Sequence, residues 1–113
     1  MSQTNQTPPD AVPREILEQR MDNIDLVEYH MYKYRHLREL FDCINRDNKP
    51  RYFLWQSYLL DEMAKSLIEI EKYPDISAMM CKDILKDKMY GYVKMRAGVL
   101  HMRKENNDER NFR

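Results

Sequence analysis

Histidine and cysteine are the residue types in this chain best suited to bind a metal ion or to act as nucleophiles. The chain has three His and two Cys: His30, His36, His101, Cys43 and Cys81. Structural zinc sites usually place paired ligands two to five residues apart, and no such pair occurs here. His36 and Cys43 share a face of a predicted helix, so Cys81 or His101 could complete a site. Ordinary helix residues are the simpler interpretation, and we expect no metal ion, no cofactor and two free thiols.

The acidic residues and the glycines give no further support for catalysis. The pairs Asp61 with Glu62 and Asp22 with Asp25 are expected on hydrated helix faces, where carboxylates perform no proton transfer. Neither cysteine follows a glycine-rich turn or has an activating base nearby in the sequence. Two Gly in the whole chain leave no phosphate-binding loop. We therefore predict that the protein is not an enzyme and has no small-molecule substrate.

Proline and glycine usage indicates the elements that must position the remaining residues. Pro is tolerated in the first turn of a helix but not in its interior, so Pro13, Pro50 and Pro74 mark three helix starts. No hairpin dipeptide or sustained two-residue alternation favours strands. The predicted helices are 12–46, 50–73 and 75–105. The sequence therefore predicts an all-α fold, a small bundle of three main helices.

The length of the chain, 113 residues, is sufficient for one domain and too short for two. Residues 1–11 are polar and predict a disordered N-terminal tail. Residues 12–105 form the predicted helical domain, and residues 106–113 a frayed C-terminal tail.

The first two predicted helices carry more apolar surface than a single core contact needs. The apolar face of the first helix rotates along its length, so the helix either supercoils or breaks near Asp22. In its second half apolar side chains cover most of the circumference, which is typical of a helix inside a bundle or against another chain. The second helix opens with Tyr52-Phe53-Leu54-Trp55 and Tyr58, apolar on all sides. Trp and Tyr are enriched at interface hot spots, although these rings could instead cap the core of this chain.

The third predicted helix repeats apolar residues at the four-three spacing of a coiled coil. The repeat consists of Cys81, Leu85, Lys88, Tyr92, Met95, Val99 and Met102. Lys88 weakens it, and so do Gly91 and Gly98, because glycine disfavours helix. These two glycines lie on one face and could let another helix approach closely, or they could mark a kink near Gly91.

Charge supports a second, weaker interpretation. Nineteen Lys and Arg balance nineteen Asp and Glu, so no overall field attracts nucleic acid or an anionic membrane. Acidic and basic segments nevertheless alternate along the chain, and the third helix is locally basic. A helical dimer could bind nucleic acid through these residues, although they scatter around the helix axis and are interrupted by Asp83 and Asp87. The basic residues are Lys82, Lys86, Lys94, Arg96, Arg103 and Lys104.

The excess of apolar helix surface leads to the main functional prediction. We expect a noncatalytic interaction module, an adaptor or complex subunit that associates with itself or with a partner protein. The sequence has neither a secretory signal nor an apolar run near the roughly 18 residues of a membrane span. We therefore expect an intracellular protein, cytoplasmic or nuclear, without a membrane partner. The predicted partner-binding residues are Tyr29, Tyr32, Tyr34, Leu40, Leu54, Trp55, Tyr58, Leu85, Tyr92, Met95 and Val99.

Overall fold

The chain is helical throughout the residues that can be described. A computed structural model describes residues 13–47 and 49–111, with side chains as far as residue 106. Every regular element in those ranges is a helix, so the predicted all-α fold is confirmed. The tail predicted for residues 1–11 lies outside the described residues.

Five α-helices and one 3₁₀ turn make up the described fold, and two of the helices are short. The helices are α1 (Arg14–Asp47), α2 (Phe53–Glu71), α3 (Pro74–Met80), α4 (Lys82–Leu85) and α5 (Tyr90–Asn111), with the 3₁₀ turn at Pro50–Tyr52. Prolines begin elements as predicted. The carbonyl oxygen of Pro13 accepts hydrogen bonds from the backbone N–H groups of Ile16 and Leu17, and Pro74 is the first residue of α3.

The first helix is continuous through Asp22, so the alternative of a break there is wrong. The side chain of Asn23 does not cap the start of a second helix. Its amide oxygen accepts a hydrogen bond at 3.1 Å from Gln19, one turn earlier, which supports the helix that a cap would interrupt. At about 1.5 Å per residue the helix is about 51 Å long.

Helices α1 and α2 pack antiparallel and form most of the core. His30 lies 3.4 Å from the Ser66 hydroxyl, and Lys33 donates to Glu62 at 3.4 Å. As the residue numbers rise along α1, the numbers of the residues that they contact in α2 fall. The two helices therefore run antiparallel. The buried residues of the pair include Val27, Met31, Leu37, Leu59, Met63, Leu67 and Ile70.

The prediction of a single helix over residues 75–105 is wrong, because these residues form parts of three helices. Ile84 and Val93 are both fully buried, yet at about 100° per residue they would lie on opposite faces of one straight helix. The chain therefore turns after Met80 and again between Lys86 and Met89. Helix α3 contacts both α1 and α2, α4 contacts α1, and α5 packs on α2. These turns also leave Cys81, Leu85 and Lys88 of the predicted coiled-coil repeat outside α5.

Helix α5 crosses α2 rather than running alongside it. Lys94 donates to Glu71 at 3.2 Å, whereas Arg96, two residues further on, donates to Asp61 at 2.6 Å. These two acidic residues are about 15 Å apart along α2. The two ion pairs thus hold opposite sides of α5 at distant points of α2, with Val93 buried at the crossing.

The resulting molecule is extended. Its radius of gyration is 19.4 Å, whereas a compact domain of this length has about 13 Å. The first turns of α1 and residues 101–106 of α5 are exposed and lie at free ends. Helix α5 continues to Asn111, so the tail predicted from residue 106 begins inside a helix, and residues 112–113 lie outside the described range. None of the described helices is long and apolar enough to cross a membrane.

Candidate protein-interaction surface

All but one of the residues predicted to bind a partner are exposed to solvent. They are distributed over four helices. Exposed are Tyr29, Tyr32, Leu40, Leu54, Trp55, Tyr58, Leu85, Tyr92, Met95 and Val99.

Tyr34 is the exception, and its prediction as a surface residue is wrong. Only 1% of it is accessible, because it faces the core side of α1 beside Ile84. Its hydroxyl donates a hydrogen bond to Asp87 at 3.2 Å. Burial and the neighbouring Asp87 carboxylate raise the pKa of Tyr34 well above its usual value.

The first two turns of α2 present a group of large exposed side chains, here called the α2 aromatic surface: Phe53, Leu54, Trp55 and Tyr58. Leu54 is 84% exposed and Phe53 is 74% exposed. The rings of Trp55 and Tyr58 meet edge to face, with centroids 6.2 Å apart, which holds both rings at the surface. Phe53 was not among the predicted residues, although it belongs to the same all-round apolar opening of the helix.

An apolar cleft of about 540 Å³ adjoins this surface, where the end of α1 and the starts of α2 and α5 meet. It brings together Leu54 and Tyr92, two predicted residues that are distant in the sequence. Tyr29, Tyr32 and Leu85 are exposed elsewhere. The residues lining the cleft are Phe41, Asn45, Phe53, Leu54, Gln56, Ser57, Leu60, Met89, Tyr92 and Arg96.

A second apolar surface, here called the α5 outer stripe, consists of Tyr92, Met95, Val99 and Met102. Helix α5 buries Val93 and Ala97 against α2, and the stripe lies on the opposite, solvent side. Met95 is 72% exposed and Met102 is 62% exposed. A surface helix normally turns its polar residues outward, so this helix has the reverse pattern. The four-three spacing could have added Met102 to the predicted residues.

Gly91 and Gly98 border the α5 outer stripe and are open to solvent. A Cβ atom built at either position meets, within 4 Å, no described atom apart from the neighbouring residues and the nearby backbone of α5 itself. The folded chain therefore does not need glycine there for steric reasons. Among the described residues, none makes use of the close approach that glycine permits.

The open glycines lead to a prediction about stability. Gly98→Ala should raise the free energy of unfolding by about 1 kcal/mol, because alanine favours helix and the new methyl group meets empty space. Gly91→Ala lies in the first turn of α5, and it should raise the free energy of unfolding by a smaller amount. Urea unfolding at low protein concentration, followed by circular dichroism, measures both. A loss of stability in Gly98→Ala would mean that this face is covered within the single chain.

The position of α5 depends on a polar cluster that fixes the preceding segment to α1. Asp87 accepts hydrogen bonds from Tyr34 and, at 2.8 Å, from Nε of Arg38. One turn earlier, Arg35 donates two hydrogen bonds to Asp83, at 2.7 and 2.8 Å. The two aspartates thus hold α4 and the following turn on α1, so that α5 starts beside the cleft.

The same cluster determines how the carboxyl groups titrate. Burial raises the pKa of Asp87, but hydrogen bonds from Arg38, from the Met89 backbone N–H and from Tyr34 outweigh it, and the pKa is below its ordinary value of 3.8. The two hydrogen bonds from Arg35 likewise lower the pKa of Asp83. Below the ordinary pKa the unfolded chain takes up protons while these aspartates stay ionised in the folded chain. Their stabilisation is therefore present above about pH 4 and is lost as pH falls through the folded pKa.

Unfolding measured at acidic pH should therefore show how much the ionised Asp87 carboxylate contributes to stability. Asp87→Asn should be less stable than the natural chain at pH 7, and the difference should shrink as the pH falls from 5 to 2.5. Urea unfolding of both proteins across this range gives the difference directly. A difference that stays constant down to pH 2.5 would contradict the assigned role of the ionised carboxylate.

The histidines and cysteines do not assemble into a site within the described residues. His36 and Cys43 are exposed on α1, Cys81 is buried in the core, and His101 pairs with Glu105 on α5. No group of three or more potential metal ligands occurs in the part of the chain that the structure describes. Burial raises the pKa of the Cys81 thiol, which keeps it protonated and weakly nucleophilic.

The basic residues of the alternative interpretation are spread over different parts of the surface. Lys82 belongs to α4 and Lys86 follows its end, and both side chains are exposed. Lys94 and Arg96 are engaged with Glu71 and Asp61. The remaining two, Arg103 and Lys104, are exposed on the free end of α5.

Comparison of the chain with protein-family models, with curated proteins and with solved structures finds no significant match to any of them. The function is therefore inferred from the geometry of the chain itself.

Proposed function

We propose that this protein is a noncatalytic helical interaction module, an adaptor or complex subunit that associates with itself or with another protein through its apolar helix faces. The observation that carries the proposal is the exposure of large apolar residues on the solvent sides of α2 and α5. Exposed apolar patches larger than a few hundred Å² are uncommon on monomeric proteins and mark interaction sites.

The composition of these surfaces favours a protein partner. Trp, Tyr, Phe, Leu and Met dominate them, and Trp and Tyr are the residues most often found at interface hot spots. Of the described residues that line the cleft, Arg96 alone is charged, and Asp61 already neutralises it. A partner that fills the cleft with apolar side chains would therefore leave no charge buried and unpaired.

An intracellular role is part of the proposal. Cys43 and Cys81 are free thiols, as is usual for proteins of reducing compartments. The alternating acidic and basic segments would contribute to partner selection and register more than to affinity.

The nucleic-acid alternative has less support. Two of its six residues, Lys94 and Arg96, already have acidic partners on opposite sides of α5. A phosphate-binding track needs unpaired cations along one stripe, and these six residues span two helices and a turn. We therefore retain protein association as the proposed function.

Two measurements on the tagged protein test the proposal. Light scattering behind a sizing column gives the mass across concentration at low and high salt. Recovery of bound proteins from source-cell extract compares the natural chain with Leu54→Asp and with Met79→Asp, whose site on α3 is also exposed. We expect self-association at both salt levels, or a partner retained by Met79→Asp and lost by Leu54→Asp. A monomer at every concentration, together with identical recoveries for all three proteins, would refute the proposal.

A further inference from the structure

We propose that α5 pairs with α5 of a second copy of this chain in antiparallel orientation, with Gly91, Met95, Gly98 and Met102 at the centre of the contact. This inference rests on the proposed function and deepens it, because it names the partner of the α5 outer stripe.

The outward arc of α5 lacks charge where a solvated helix would carry it. From residue 91 to 102, about three turns, this arc consists of two glycines and the four residues of the α5 outer stripe. The charged residues in between, Lys94 and Arg96, point back to acidic residues of α2. A helix whose inner face is buried and whose outer face is apolar fits between two layers of protein.

The order of residues on this arc is self-complementary. Gly91, Met95, Gly98 and Met102 are spaced four, three and four residues apart. When a second copy runs in the opposite direction, centred between residues 96 and 97, Gly91 meets Met102 of the second copy and Met95 meets Gly98 of the second copy. Each long thioether chain then enters the open space at a glycine, where a Cβ atom would meet none of the described side chains within 4 Å apart from those of the two adjacent residues. Methionine is well suited to fill such spaces.

A parallel pair would lack this complementarity. It would place Met95 against Met95 and Gly98 against Gly98, which crowds one layer and leaves a void in the next. Packing therefore favours the antiparallel arrangement.

Charge favours the same register. The alignment that joins Gly91 to Met102 also brings Lys88, in the turn just before α5, to the end of the contact where Glu105 of the second copy lies. Both residues are exposed at the edges of the contact. In a parallel pair Lys88 would lie beside Lys88, and Glu105 beside Glu105. Opposite charges at both ends of the contact thus stabilise the antiparallel pair, whereas like charges would destabilise the parallel pair.

The contact is modest in size, and this sets the expected affinity. A stripe of about three turns on one helix buries less than the roughly 800 Å² per partner of a standard interface. Dimerisation should accordingly be in the micromolar range and depend on concentration.

Sedimentation equilibrium across concentration tests the surface. Met95→Glu should raise the dimer dissociation constant at least tenfold, because it places a carboxylate in the apolar contact. Met79→Glu is the matched control: the same substitution at 67% exposure, on α3, should leave the constant unchanged. Gly98→Leu should weaken the dimer as well, although its new side chain meets open space in the single chain. Circular dichroism checks that each variant is folded.

Charge reversal and distance measurement test the orientation. Lys88→Glu and Glu105→Lys should each weaken the dimer, and the double variant should recover most of the affinity. A spin label on Asn106→Cys, with Cys43→Ser and with buried Cys81 left in place, reports the direction of the helices. The antiparallel register separates the two Asn106 backbones by about 28 Å along the helix axis, whereas a parallel pair brings them within about 10 Å.

The outcomes separate this inference from the proposed function. A dimer that survives Met95→Glu, or whose Asn106 labels are close, would overturn the antiparallel α5 contact and leave the interaction module standing. A chain that is monomeric at millimolar concentration would also overturn it, whereas the recovery of a partner that depends on Leu54 would still support the proposed function.

Discussion

Asp87→Ala should lower the free energy of unfolding by about 2 to 3 kcal/mol. The substitution removes the acceptor of the Tyr34 hydroxyl and of the Arg38 guanidinium at once. A buried donor left without a partner costs about 1 to 3 kcal/mol, and breaking a buried ion pair costs more. Arg38 retains Asp42 as a partner, which limits the loss. Urea unfolding at pH 7 measures the effect.

The neighbouring ion pair supplies the control. Asp83→Ala removes a carboxylate that is 54% exposed, so its loss should cost less than about 1 kcal/mol. A second control removes the hydroxyl group of Tyr34. Tyr34→Phe should cost about 1 kcal/mol in the natural chain and almost nothing in the Asp87→Ala background, because the hydroxyl has then already lost its acceptor. Equal losses for Asp83→Ala and Asp87→Ala would contradict the assignment of Asp87 as the main tie between α1 and the segment before α5.

Trp55→Ala should weaken partner binding by about 30-fold or more, the loss typical of a hot-spot aromatic. The side chain is 59% exposed and packs on Tyr58, so the fold should tolerate its removal with a small change in stability. Tyr58→Ala should also weaken binding, since it removes the ring that holds Trp55 in place. Titration of each variant against the partner recovered from extract gives the dissociation constants.

Met79→Ala is the matched control for these variants. It truncates a large apolar side chain of similar exposure on α3, away from the α2 aromatic surface and the cleft. Its binding should equal that of the natural chain. If the control and Trp55→Ala lose equal affinity, the effect is general surface hydrophobicity and the α2 aromatic surface is not the binding site.

The sequence was sufficient for the helical class and for the starts of the elements that follow or begin with a proline. Proline fixes φ and removes a donor, so Pro13, Pro50 and Pro74 act locally and can be interpreted without tertiary information. The continuity of α1 could not be decided in this way. Asn23 is a good capping residue by type, and only the packing of one long helix on α2 selects its bond to Gln19.

The division of the third predicted helix could not be read from spacing alone. The part of the coiled-coil repeat from Tyr92 to Met102 lies within α5, but the first three members, Cys81, Leu85 and Lys88, lie before that helix begins. Ile84 and Val93 reveal the need for a turn only once both are known to be buried, which is a tertiary fact. The same holds for Tyr34, because its burial follows from the approach of α4 and Asp87 across 53 positions of sequence.

The exposed apolar residues were easiest to predict where a helix has more apolar residues than one of its faces can bury. Trp55, Tyr58, Met95 and Val99 belong to such excesses, and all are exposed. The cleft was not predictable, because it joins Phe41, Leu54 and Tyr92 from three helices. Its formation depends on the angle at which α5 crosses α2, and that angle is set by ion pairs at Asp61 and Glu71.

The proposed association through apolar helix faces is tested most directly by the mass of the tagged protein as it is recovered under native conditions from the cells that produce it. Light scattering at low and high salt, with absorbance at 260 and 280 nm, should be applied to the natural chain and to the Leu54→Asp/Met95→Glu double variant. We expect a nucleic-acid-free complex heavier than the 13.8 kDa chain plus its tag at both salt levels, and a monomer for the double variant. A natural chain that is already monomeric, or equal masses for both proteins, would contradict association through these apolar faces.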